Sequence, residues 1–89
     1  GIAMVSIVIN DDLSIDKNIQ LSFIGLPYSE LDLVKNDFKN EFIENYLKLN
    51  QDQKNSDQNV TDLIQKSLKF VVKNILQKKP EIKIHLIRK

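Results

Sequence analysis

Residues 60–89 read VTDLIQKSLKFVVKNILQKKPEIKIHLIRK, and this stretch decides the fold. Val60, Leu63, Ile64, Leu68, Val71, Val72, Ile75 and Leu76 recur at spacings of three and four. At roughly 100° per residue they form one wide apolar face, the mark of an amphipathic helix. Asn59 is placed to cap its start, and Asp62 puts negative charge in the first turn, where the helix dipole favours it. Lys78 and Lys79 suit the opposite end. Pro80 stops the helix, because the residue before a proline is pushed out of the α region. The period then changes to two. Ile82, Ile84 and Leu86 face one way; Glu81, Lys83, His85 and Lys89 face the other, with Ile87 as the exception. That alternation predicts a half-buried strand.

At the other end, residues 2–9 are apolar except for Ser6. Ala3, Val5, Ile7 and Ile9 share one side of the predicted strand; Ile2, Met4 and Val8 share the other. A strand apolar on both faces belongs at the centre of a sheet that is covered on both sides. Helices of this chain can cover one face. The second face calls for a neighbouring domain or subunit. The sequence also enters this strand directly after Gly1 with no initiator methionine, as expected of a piece excised from a longer protein.

Between these ends, Asn10-Asp11-Asp12 and Asp16-Lys17-Asn18 carry turn chemistry, with Leu13 and Ile15 as a short extended piece between them. Ile19, Leu21 and Phe23 alternate with Gln20 and Ser22 and predict a second strand. Ile24 breaks the alternation, which suggests a change of face or a bulge, and Gly25-Leu26-Pro27 ends the strand. Ser29 then reads as the cap of a helix running to about Leu49, with Glu30 and Asp32 in its first turn. Leu31, Val34, Phe38, Phe42, Tyr46 and Leu49 form its main face, while Leu33, Ile43 and Leu47 fall on another side. Residues 50–58 are entirely polar and read as a flexible connection.

The expected architecture is therefore a single α+β domain over residues 1–89, ordered β-β-α-α-β. Its three-stranded mixed sheet has order 2-1-3, with two antiparallel helices on one face. An antiparallel helix pair makes the last strand parallel to the first. At this length about 60–65% of the unfolded chain's surface is buried on folding, and 42% hydrophobic residues suffice for one modest core.

Composition excludes more than it proposes. There is no cysteine, so no disulfide or thiolate metal site holds the fold, which fits a reducing, cytoplasmic setting. No apolar run is long enough to span a membrane. Gly1 and Gly25 are the only glycines, so no phosphate-cradling glycine loop exists. His85 is the only histidine and cannot build a metal site alone. The serines lie in no nucleophile-elbow context, and Asp11 and Asp12 are turn residues. No catalytic residue, metal ligand or cofactor site is assigned to this chain.

Charge is uneven. Residues 1–59 hold five basic and ten acidic residues, whereas residues 60–89 hold eight and two. Lys66, Lys69, Lys73, Lys78, Lys79, Lys83 and Arg88 (with Lys89 beside them) are the candidate RNA contacts, acting on phosphates by charge. Phe70 is the one aromatic near them, and no aromatic-rich strand motif or G-x-x-G loop accompanies it, so base readout is not expected. Ile2, Met4, Val8, Leu33, Ile43 and Leu47 are the candidate assembly surface.

Both ends of the chain resemble one family. The opening Gly1-Ile-Ala-Met-Val-Ser-Ile-Val-Ile-Asn10, followed by a turn and Leu13, is similar to the start of the C-terminal domain of ribonuclease J. The same holds for Asp62-Leu-Ile-Gln-Lys-Ser-Leu-Lys-Phe-Val-Val-Lys-Asn-Ile-Leu-Gln-Lys-Lys-Pro80-Glu-Ile-Lys-Ile, where Lys78-Lys79-Pro80 falls on a basic-basic-proline element ahead of the final strand. Two features of the family's pattern are missing. Leu21-Ser22-Phe23 stands where a Ser-Arg-Gly segment is usual, and Ile84 stands near a second usual proline.

The resemblance implies a parent enzyme of the metallo-β-lactamase/β-CASP class, a zinc-dependent ribonuclease with 5′-to-3′ exonucleolytic and endonucleolytic activity. Its zinc lies in another domain. The C-terminal domain is implied to be non-catalytic and linked with assembly into dimers or tetramers and with activity of the whole enzyme. The partners implied are other copies of the chain or the parent's catalytic domain. A small nucleic-acid-binding module that uses the Lys66–Lys89 surface is the alternative reading. A stand-alone enzyme is not supported by any reactive constellation.

Overall fold

The computed structural model describes residues 1–26 and 29–89. Its elements are β1 (Ile2–Ile9), β2 (Gln20–Ile24), α1 (Leu31–Tyr46), α2 (Gln51–Asn55), α3 (Asp57–Leu76) and β3 (Glu81–Arg88). The strands form one sheet of order β2-β1-β3. β1 is antiparallel to β2, from Ile2 opposite Ile24 to Ser6 opposite Gln20. β1 runs parallel to β3 along its whole length, from Ile2 opposite Glu81 to Ile9 opposite Arg88. The expected strand order and the parallel closing strand are both present.

Alternation along β1 sorts its side chains cleanly. Ala3, Val5, Ile7 and Ile9 are buried, whereas Ile2, Met4, Ser6 and Val8 are half-buried. The inner set joins Ile19 and Leu21 from the β2 side, Val34, Phe38, Phe42 and Tyr46 of α1, and Val60, Ile64, Leu68, Val71 and Val72 of α3 in one core. Phe38, Phe42 and Tyr46 recur every four residues, so they stack along one side of α1. Their ring centroids lie 5.9 and 5.7 Å apart in sequence, within the usual range for aromatic pairs. Both long helices therefore cover the same face of the sheet.

The polar segment 50–58 is not a flexible connection. Asn50 Oδ1 accepts a 2.8 Å hydrogen bond from the Gln53 amide, and Gln53 Oε1 accepts one of 2.9 Å from the Asn50 amide. This capping box starts α2, because it satisfies two amide donors that a helix start leaves without partners. Ser56 rather than Asn59 caps α3: its hydroxyl accepts from the Asn59 amide at 3.2 Å. α3 thus begins at Asp57 and carries Asp57, not Asp62, in its first turn. The order becomes β-β-α-α-α-β.

Three further boundaries differ from the sequence reading. α1 follows Glu30, with no side chain capping it, in place of Ser29. It ends at Tyr46, although Leu49 still packs against the core. Ile24 marks neither a bulge nor a change of face; it pairs in register with Ile2 and continues the alternation. The expected strand stop reaches Pro27, which lies outside the described residues. Leu13 and Ile15 do form a short extended piece, tied back to β1 by a bridge between Ile9 and Ile15.

Candidate contact surfaces

The face of the sheet away from the helices is open. The register brings Ile24, Ile2 and Glu81 into one row across it, then Ser22, Met4 and Lys83, then Gln20, Ser6 and His85, and finally Val8 and Ile87. Apolar side chains occupy both ends and polar ones the middle. Ile24 is 56% exposed. A shallow depression of about 230 Å³ lies along Met4, Ser6, Gln20, Ser22, Lys83 and His85. Of the sequence-derived assembly residues, Ile2, Met4 and Val8 share this face. Ile24 and Ile87 complete it and were not assigned to it from sequence.

Leu33, Ile43 and Leu47 lie elsewhere. They are 52%, 37% and 68% exposed, on the side of α1 turned away from Phe38 and Phe42. α1 covers the inner face of the sheet, so this stripe and the open face are on opposite sides of the domain. The six residues therefore fall on two separate surfaces. Ile43 and Leu47 also border a cavity of about 530 Å³ that includes Leu13, Ile15, Tyr46 and Lys54.

The basic residues also separate. Lys69 and Lys73, one helical turn apart on α3, meet Lys78 and Lys79 around Pro80 in a groove of about 430 Å³. The chain is folded back there by Gln77, whose φ of 54° is left-handed and ends the helix. Lys66 is exposed one turn earlier on α3. Lys83 sits on the open sheet face, 3.4 Å from Glu81. Arg88 is engaged: its Nε donates to Asp57 at 2.7 Å and its Nη2 to the Lys54 carbonyl at 2.9 Å. Lys89 approaches Asp16 at 3.5 Å. Phe70 is 54% exposed, beside Asp37, Glu41 and Glu44 across the α1–α3 groove.

Protonation is displaced at Asp12 and Asp16 in the turn after β1 and at Tyr46 in α1. Hydrogen bonds from the Ser14 hydroxyl and amide hold the Asp12 carboxyl below the ordinary value. The Asn18 amide does the same for Asp16, helped by Lys89. Burial pushes the Tyr46 phenol up. Among the described residues, no three His, Cys, Asp or Glu side chains gather where they could hold a metal ion. No helix described is long and apolar enough to cross a membrane.

A three-stranded mixed sheet under a helix layer, with an open face and a lysine-lined groove, defines a small α+β domain that presents surfaces for contact. The family model for the ribonuclease J C-terminal domain matches residues 1–89, and the chain belongs to that family. Searches of curated proteins and of solved structures find no match to the chain.

Proposed function

We propose that this domain is the non-catalytic C-terminal part of a ribonuclease J-like RNA-degrading enzyme and supports its assembly through the open sheet face. Zinc and the hydrolytic groups then reside in another domain of that enzyme. The carrying observation is the set of cross-strand apolar rows on a face that no described element of this chain covers: Ile24 beside Ile2, and Val8 beside Ile87, with Met4 between them. Apolar cross-strand pairs add stability when they are removed from water. Here that gain requires a second surface. Membership of the family fits the same role, as the domain accompanies a ribonuclease.

Sedimentation of the 89-residue chain over a range of concentrations tests this. Self-association is expected, and Ile24→Glu together with Met4→Lys is expected to return the chain to a monomer. Both positions lie on the open face, so the variant should still fold, losing only the concentration-dependent stability that association adds. A strict monomer at high concentration would remove the self-assembly role.

A further inference from the structure

The groove formed by Lys69, Lys73, Lys78, Lys79 and Pro80 concentrates four positive charges, and among the described residues no acidic side chain lines it. All four lysines are exposed, and none is paired with an acid among the described residues. Part of this charge has a local role. The C-terminal end of α3 carries the equivalent of about half a negative charge, which accounts for less than one of the four lysines. The remainder is not neutralised by any ion pair among the described residues.

We infer that this groove holds the phosphate backbone of single-stranded RNA, independently of base sequence. The choice of RNA rests on membership of a ribonuclease's C-terminal domain family; the groove itself does not depend on the assembly reading. Its chemistry fits phosphates better than a protein partner. Lysine is depleted from the cores of protein–protein interfaces, which are rich in aromatic side chains. Among the described residues, Pro80 and four lysines line this groove. Lysine presents a compact charge on a flexible stem without the planar fork that reads base edges. Lys69 and Lys73 lie about 6 Å apart along the helix axis, so one strand can reach both in turn. Gln77 bends the chain so that Lys78 and Lys79 close the groove from the other side.

The surroundings limit the path. Phe70 offers an aromatic face, but Asp37, Glu41 and Glu44 border the same hollow. These acids repel a phosphate chain, so base stacking on Phe70 is not part of the proposal. They confine the strand to the lysine side of α3, with Lys66 extending the path one turn further.

Fluorescence anisotropy of a labelled oligouridine, titrated with the 89-residue chain at several salt concentrations, tests the inference. Four phosphate contacts on a single strand predict a slope of about −2.8 in log affinity against log salt, or roughly a 50-fold loss between about 50 and 200 mM. Replacing all four lysines by alanine is expected to remove the slope and the binding. Replacing all four by arginine should preserve both, and Lys17→Ala, outside the groove, should change neither. Sedimentation of the same variants separates this proposal from assembly. Loss of RNA binding with unchanged self-association supports the groove, and a monomeric wild-type chain that still binds RNA leaves it standing. No binding at low salt overturns the inference, as does binding that survives the four alanine substitutions. Dissociation of the oligomer by those substitutions also overturns it, because the groove then receives an acidic surface of another chain.

Discussion

The Tyr46 hydroxyl donates a 2.6 Å hydrogen bond to the carbonyl oxygen of Leu13, linking positions 33 residues apart. The bond ties the turn after β1 to the last turn of α1. Leu13 needs such an anchor, since its φ of 71° is left-handed. The turn is closed locally as well, by Leu13 N donating to Asn10 O and Asn10 N to Ser14 O, each at 2.9 Å. Lys54 adds its ammonium group 5.2 Å from the centre of the Tyr46 ring.

Tyr46→Phe keeps the ring in the core and removes only the donor. The Leu13 carbonyl then loses its partner, which costs about 1–2 kcal/mol. Urea unfolding should show a lower midpoint with an unchanged slope, because the surface exposed on unfolding stays the same.

Leu13 itself gives an ordering of variants that hydrophobicity alone would not. A left-handed backbone is tolerated by asparagine and strongly disfavoured by β-branched residues. Leu13→Val is therefore expected to destabilise more than Leu13→Asn, although valine is much closer to leucine in apolar character. Thermal midpoints of the two variants check this. Equal loss, or a greater loss for asparagine, would mean that packing of the half-buried leucine outweighs the backbone cost.

How much of this was legible in sequence depended on whether the signal was apolar. The doubly apolar run Ile2–Ile9 fixed β1 at the centre, and the three-four spacing from Val60 to Leu76 fixed the closing helix. α2 carries no buried residue, so hydrophobic periodicity is silent there. Its signature is the Asn50–Gln53 capping box, which is local and can be read from residue spacing. Ile24 was obscured by its neighbour Phe23: two adjacent apolar residues look like a slip, when one faces the core and the other an open sheet face. Lys69 and Lys73 share a groove by helical spacing alone. Bringing Lys78 and Lys79 to them required the left-handed turn at Gln77, and glutamine, unlike glycine, does not announce one. Lys83 and Arg88 were grouped with them by sequence proximity, but strand alternation and the Asp57 contact place them elsewhere.

Arg88 offers a test of that separation. Its guanidinium joins the end of β3 to Asp57 at the start of α3 and to the Lys54 carbonyl in α2. Arg88→Ala should cost about 1 kcal/mol, as expected for a mostly covered guanidinium that makes charge-assisted hydrogen bonds to an exposed carboxylate and a backbone carbonyl. Arg88→Lys should recover only part of this, since one ammonium group does not reproduce the fork that serves both acceptors. In the oligouridine titration Arg88→Ala should leave the salt slope unchanged. A slope reduced as much as by a groove lysine would show that Arg88 also contacts phosphate.

Stability should be flat around neutral pH and fall on both sides for different reasons. Asp12 and Asp16 have lowered folded-state pKa values, first because of hydrogen bonds from Ser14 and from the Asn18 amide, respectively. The unfolded chain therefore binds more protons than the folded one once pH drops towards the ordinary carboxylate value of about 4. Their contribution is complete above that value and is lost as pH falls through the lower, folded-state values. Asp12→Asn with Asp16→Asn keeps an acceptor oxygen at each site and should flatten this acid limb. Tyr46 behaves oppositely: burial raises its phenol, so the folded chain holds its proton longer. That contribution is present below about pH 10 and is lost as pH rises through the raised value. Tyr46→Phe should leave the acid limb intact and reduce the alkaline one. Thermal midpoints recorded from acid to alkaline pH for wild type and the two sets of variants decide it; an alkaline limb of unchanged depth in Tyr46→Phe would show that the phenol does not cause that loss.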